Sequence, residues 1–384
     1  MQEIIMTEIF LIISCCILCV ILFKYVNKLL PRVARIMYNK RFHAIDASDI
    51  QLVIKNVRNA TINELKKDFT QDHIIYYSKS FTDFCAGKKI SVYEYGEYGL
   101  LLYYSCIVAQ KTGDIEMMDL VRRRFDEGLD IYLKRIVRSD QISYGLVAIE
   151  LYLYTHDDRY HGFANAVYNR CVAMADENGL ILYRNQSIEQ HVDALGFIPK
   201  FLCLYGEVFS VDNAIKLAET LVYDYMENGV DKNTGFPCQT YRIYDKIKIN
   251  RANWSRGCAW YMLGVTSLPS LSPDKEKMYQ KLVNILTKDS PYKIQQYFCQ
   301  GASPDISAVI PILYVLSNNE HFQVSTSELI KNIGPYIRKD GRVCNMSPSI
   351  VLPYEGPQLW NGGMFYNAML LNLLTQTELV GKSV

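Results

Sequence analysis

The chain has 384 residues, enough for one large core or two ordinary ones, and 49% of them are hydrophobic, the share of an ordinary globular protein. A formal charge of +1, from 41 basic and 40 acidic side chains, leaves no electrostatic footprint for a nucleic-acid partner. Eleven cysteines (15, 16, 19, 85, 106, 171, 203, 238, 258, 299, 344) are odd in number and without CxxC or Cys/His spacing, so they read as reduced thiols, with no metal site or cofactor.

At the N-terminus, Ile9 to Phe23 reads IFLIISCCILCVILF, fifteen apolar or small residues at the short edge of a membrane span. No Lys or Arg precedes it, whereas Lys24, Lys28, Arg32, Arg35, Lys40 and Arg41 follow. The positive-inside rule then predicts an anchor over 1–41 with the body, 42–384, in the cytoplasm. A lipoprotein signal at Cys15 or Cys16, or an anchor facing the other way, are the alternatives.

A polar stretch at 43–75 separates this segment from a body whose apolar residues recur at helical spacing. The clearest predicted helices are 92–111, 115–136, 143–155, 158–176, 188–208, 212–228, 254–267, 274–288, 305–317, 324–334 and 360–377. Strand-like material is confined to 180–184 and 240–249. Helices end in short polar turns and restart on acidic or Ser/Asn residues, as in QKTGDIEMM at 110 and THDDRYHGF at 155. The repeat of about 45–60 residues is one helical hairpin with its connector. Five or six hairpins predict an all-α (α/α)6 toroid, with a linear solenoid as the rival. The 29 tyrosines suit packing between such helices or a wet aromatic groove.

One region carries chemistry. HVDALG (191–196) is followed by KFLCLYG (200–206), DKNTGF (231–236) and WSRGCAW (254–260). Asp193 opens an apolar helix start, where a buried charge needs a partner, and Arg256 lies between Trp254 and Trp260. Indole faces pack on sugar rings, a guanidinium forks onto a carboxylate, and an aspartate moves a proton, so the set suits an acidic oligosaccharide. Trp254, Arg256 and Trp260 serve equally as ordinary helix residues.

From about 92 to 376 the chain resembles the unsaturated glycuronyl hydrolases of glycoside hydrolase families 105 and 88, family 105 more closely. The resemblance rests on the order of Asp193, Pro199, Tyr205–Gly206, Asp231 with Thr234–Gly235, and Trp254–Arg256–Gly257–Trp260. DQISYG with Asp140 and Gly145 matches upstream; DISAV at 305–309 and WNGGMF at 360–365 match downstream. It implies hydration of the double bond between carbons 4 and 5 of a terminal uronate. Carbon 4 is protonated, water adds at carbon 5, and the hemiketal opens to expel the partner sugar; one carboxyl serves as acid and then base. By resemblance Asp193 is that residue, Asp140 the second acidic residue (a helix N-cap is its other reading), and Arg256 and Trp260 hold the uronate.

Three departures fall beside the expected substrate: His191 where the family carries Trp, Gln239 where it often carries His, and Cys258–Ala259 inside the RG motif. They imply a shifted specificity or a weakened activity. Two other readings remain at this level: a non-catalytic acidic-glycan-binding protein of polysaccharide assembly, and a membrane-tethered helical scaffold.

Overall fold

The computed structural model describes residues 14–15, 17–23, 44–67, 96–183, 187–249, 254–288, 290–295, 304–318, 322, 324–346 and 364–382. Packing divides the chain into two compact units, one of 1–43 with 68–92 and one of 44–67 with 93–384. In the first unit, residues 14–15 and 17–23 are helical, and the apolar side chains of Ile17, Leu18, Val20, Ile21, Leu22 and Phe23 are about half exposed. Among the described residues no helix is long and apolar enough to cross a membrane, so the expected anchor is not supported. The rest of the apolar run and the basic residues 24–41 lie outside the described residues.

The larger unit is built from paired helices: α1 Ile50–Lys66, α2 Gly96–Thr112, α3 Ile115–Arg135, α4 Ser143–Thr155, α5 Asp158–Ala173, α6 Ile198–Phe209, α7 Asp212–Asn228, α8 Ser255–Val265, α9 Pro273–Lys288, α10 Ile306–Ser317, α11 Thr326–Ile333 and α12 Met364–Lys382. Even-numbered helices form an inner ring. α2 packs on α4, α4 on α6, α6 and the turn before it on α8, α8 on α10, α10 on α12, and α12 back on α2. That last contact closes the ring and rules out the linear solenoid.

Burial separates the two layers. Inner α8 buries ten of its eleven residues. Outer α9 buries only Tyr279, Leu282, Val283 and Leu286 of sixteen, the i, i+3, i+4, i+7 stripe of a helix with one face on the core. Because each outer helix returns the chain, all inner helices run the same way and their N-termini gather at one end. The Ser143 hydroxyl at the start of α4 accordingly donates to the Gly96 carbonyl at the start of α2, at 2.7 Å.

Most expected helices appear within a few residues, with two corrections. The polar stretch at 43–75 contains α1, capped by the Asp49 carboxylate accepting from Leu52 N–H at 3.0 Å. Its apolar stripe (Val53, Val57, Ala60, Ile62, Leu65) is narrow enough to read as polar, yet it supplies the outer partner of α12. The expected helix at 188–208 is instead strand β1 (Glu189–His191), a 3-10 turn (Val192–Gly196), and α6, which begins at Ile198 with Pro199 in its first turn. β1 pairs antiparallel with β2 (Thr240–Arg242), which pairs with β3 (Lys248–Ile249), forming one small sheet. Among the described residues of 180–184 there is only an isolated bridge, Ala175 to Ile181.

Asp114 and Asp157 cap α3 and α5 through side-chain hydrogen bonds, as the restart pattern predicts. α7 starts without a side-chain cap at Val211. The six buried cysteines at 106, 171, 203, 238, 258 and 344 are free thiols.

Candidate active site

The described candidate residues meet where the inner helices begin. Asp193 is half-buried on the Val192–Gly196 turn, and three glycines set that turn against α8. Gly257 and Gly264 lie seven residues apart, two turns along one face of α8. A Cβ on Gly257 would stand 2.8 Å from the Trp254 ring and 3.2 Å from Val192 Cγ1; one on Gly264 would stand 2.7 Å from the Leu195 carbonyl oxygen. A Cβ on Gly196 would overlap the Trp260 ring. The turn and helix therefore interlock at distances only glycine permits, and this fixes Asp193 over the first turn of α8.

Arg256 sits in that first turn and is only 5% exposed. Its guanidinium carbon lies 4.9 Å from the centroid of the Trp254 ring, a cation–π contact in a desolvated setting. Burial works against the charge, but Tyr366, Asp305, Asp193 and Glu97 more than offset it and hold the guanidinium pKa above its ordinary value. Those four residues come from the start of α12, the cap of α10, the 192–196 turn and the start of α2, so one cation gathers the N-terminal ends of four parts of the ring. Asp305 is fully buried; its Oδ1 accepts from the Ser307 N–H at 3.0 Å and from the Ser307 hydroxyl at 2.5 Å. Burial raises the Tyr366 phenol pKa, opposed by Arg256 and by a hydrogen bond with Ser307.

The small sheet holds the other side of Asp193. The Val192 N–H donates to the Gln239 carbonyl at 3.0 Å, so Gln239 anchors the turn through its backbone and keeps a half-buried side chain. His191 pairs with Thr240 across the strands, with Nδ1 3.1 Å from the Thr240 hydroxyl and Nε2 3.8 Å from a Glu189 carboxylate oxygen. Its ring lies 4.8 Å from that of Tyr183. The Tyr183 carbonyl in turn accepts from Ser139 N–H at 2.9 Å. Asp140 is the second residue of the Ser139–Ile142 3-10 turn, which packs against the Val192–Gly196 turn; its side chain lies outside the described residues.

Trp260 is 5% exposed, with its ring 5.1 Å from Phe197 and 5.9 Å from Phe365. With these rings it forms an aromatic layer packed against Gly196. The buried indole N–H groups of Trp254 and Trp260 have no hydrogen-bond partner among the described residues. DKNTG is a framing loop: the Asp231 carboxylate accepts from Asn233 N–H, Thr234 N–H and the Thr234 hydroxyl, which depresses its pKa, Thr234 N–H most.

Sequence reasoning did not place Glu97, Asp305 or Tyr366 at the site. Asp305 carried a signal, the acidic residue opening DISAV. Glu97 and Tyr366 carried none, since their roles arise only when the ring closes.

The sequence profile described as Glycosyl Hydrolase Family 88 matches residues 69–298. No curated protein matches the chain. Among solved structures, a possible member of glycoside hydrolase family 105 from Klebsiella pneumoniae is 18% identical with a TM-score of 0.68, covering 88% of this chain and 95% of its own. An unsaturated glucuronyl hydrolase from Bacillus sp. GL1, responsible for glycosaminoglycan degradation, is 16% identical with a TM-score of 0.62, covering 85% and 96%. An α-1,6-mannanase from Salegentibacter sp. HEL1_6 is 13% identical with a TM-score of 0.59, covering 86% and 100%. At these identities the likeness is one of fold, and enzymes cutting different linkages share it.

Proposed function

This chain belongs to glycosyl hydrolase family 88 and is a glycoside hydrolase; from that premise we propose that it cleaves unsaturated uronyl oligosaccharides by hydrating their carbon 4–carbon 5 double bond. The observation that carries this reading is the buried Arg256, held on the Trp254 face within electrostatic reach of Asp193. A fixed guanidinium suits a substrate carboxylate, and the gathered helix N-termini add partial positive charge at the same place.

In the proposed reaction Asp193 delivers a proton to carbon 4, and the positive charge that develops is shared with the ring oxygen. The resulting carboxylate takes a proton from water as its oxygen bonds to carbon 5. The hemiketal then opens and releases the partner sugar, and Asp193 ends protonated as it began. Asp140, Gln239 and His191 complete the substrate's surroundings in this reading, with Trp254 facing the site and Trp260 supporting the turn from below. The small sheet that carries His191, with Gln239 just before β2, is where specificity for the sugar is set.

The test is turnover of lyase-generated unsaturated oligosaccharides by the full chain, followed as loss of the conjugated double bond's ultraviolet absorbance. Loss with the parent and a decrease of about 10²–10⁴ with Asp193→Asn is the expected result. Binding of acidic glycans without any loss in the parent would replace the enzyme reading with a glycan-binding one.

Membrane attachment through residues 9–23, with a cytoplasmic body, is a further part of the proposal and rests on the apolar run and the basic residues that follow it. A chain lacking residues 1–41 is then expected in the soluble fraction of cells, with the full chain in the membrane fraction. Equal partitioning of the two would remove the anchor.

A further inference from the structure

Asp305 caps α10, and its Oδ1 accepts twice from one residue, from the Ser307 N–H at 3.0 Å and from the Ser307 hydroxyl at 2.5 Å. The N–H alone completes the cap, since a capping carboxylate needs only one of the orphan donors in the first turn. The hydroxyl is therefore surplus to the helix. It is fully buried, and it shares a hydrogen bond with the Tyr366 phenol at the start of α12. One small side chain thus joins a carboxylate on α10 to a phenol on α12, and these two inner helices pack on each other.

Both groups that Ser307 joins act on Arg256, which lies on α8, the other neighbour of α10 in the ring. Burial opposes the guanidinium charge; of the groups that favour it, Tyr366 acts most, then Asp305, Asp193 and Glu97. The contact with Trp254 at 4.9 Å sets the height of the guanidinium above the ring. It does not set how the group is turned on that face, because attraction to a ring quadrupole has no strong direction within the plane. Five N–H donors lie around the edge of a guanidinium, and the acceptors placed there fix its turn.

We propose that Ser307 is a positioning residue: by holding the Asp305 carboxylate and the Tyr366 phenol together, its hydroxyl sets the orientation of Arg256 on Trp254 and so the placing of a substrate carboxylate beside Asp193. It acts through Arg256 and not on the reacting atoms. The effect on turnover rests on the function proposed above; the effect on the geometry of Arg256 does not.

The experiment pairs crystal structures of the parent and of Ser307→Ala, which keeps the capping N–H, with steady-state kinetics of both on unsaturated oligosaccharides. In Ser307→Ala the guanidinium should be turned on the Trp254 face or displaced from it. KM should rise about tenfold with kcat nearly unchanged, the loss of a contact made equally in the ground and transition states. The basic limb of kcat/KM against pH should also move up, by as much as about 1 unit. Asp193 must be protonated in the free enzyme, and a cation that has turned away no longer favours its ionised form. Tyr366→Phe keeps the ring and removes the other end of the link; it should act in the same way, and it decides if Ser307→Ala does not fold. Asp114→Asn, at a distant cap, should leave both KM and the limb in place. An Arg256 that has not moved in Ser307→Ala, or an equal fall in kcat/KM at every pH with KM unchanged, would overturn the proposal. If the parent turns over no unsaturated oligosaccharide, the proposed function fails, and the crystal structures still decide the role of Ser307.

Discussion

The two ends of the ring are made by the same inner helices and yet handle charge in opposite ways. Where the helices begin, charged groups are taken inside: Arg256 and Asp305 are buried, with Asp193 and Glu97 close enough to act on the guanidinium. At the other end, charge is mostly kept at the surface. Where α2 ends and α3 starts, Arg58 bridges Asp114 and Glu116, and Lys66 reaches Glu116, all partly open to solvent. The carboxyl of Glu150, midway along α4, has its pKa raised by burial, partly offset by Gln110, Lys200 and Lys111. Helix N-termini can stabilise buried anions and helix C-termini cannot, so a ring of parallel helices has one end suited to an acidic substrate. The contrast teaches that fold and site polarity have a common origin in chain direction.

Removing the central cation should break the contrast most severely. Arg256→Ala leaves carboxylates without their cation and should cost about 3–5 kcal/mol, measured by denaturant unfolding. Arg256→Lys should recover only part, because an ammonium lacks the planar face that rests on Trp254. An unchanged midpoint in Arg256→Ala would mean the charges at this end are not coupled.

Gly196→Ala tests whether the two ends communicate. Its Cβ overlaps the Trp260 ring, so a loss of about 1–3 kcal/mol is expected, together with a fall in turnover as the Asp193 turn moves. Gly235→Ala provides the control within the frame. This glycine has φ +77, and a Cβ there would stand 2.9 Å from Leu282 N and Met278 O, so stability should fall by about 1–3 kcal/mol. Turnover per folded molecule should survive in Gly235→Ala and not in Gly196→Ala.

The smallest expected effect lies at the exposed-charge end. Arg58, chiefly by its hydrogen bond, lowers the Asp114 pKa below the usual 3.8. A lowered folded pKa contributes stability above the unfolded value, and that stability is lost as pH falls through the folded one. Asp114→Asn keeps a capping side chain and removes the charge, so it should cost about 0.5–1 kcal/mol at pH 7. The difference should shrink below about pH 4 and vanish in stronger acid. A penalty independent of pH would assign the effect to the cap alone.

Much of this was legible before folding. Helical spacing, acidic restarts and a hairpin-length repeat predict paired helices because local hydrogen bonds and one-sided burial are written into neighbouring residues. WSRG and VDALG predict a charged pair because an aspartate and an arginine in apolar runs must find partners. The 188–208 segment misled because its apolar count fits a helix, whereas pairing with β2 and Pro199 divides it. Helix α1 was hidden because six buried positions in seventeen look polar until α12 covers them.

The sequence by itself determined the hairpin repeat, the inner helices apolar on all sides, and the residues that had to carry charge into the core. Tertiary structure alone decided that α12 closes on α2, that Glu97, Asp305 and Tyr366 surround Arg256, and that Trp260 faces Phe197 and Phe365. Each of those contacts joins segments tens to hundreds of residues apart. Spacing along a chain reports which face of an element is apolar, and only closure of the ring reports what that face meets.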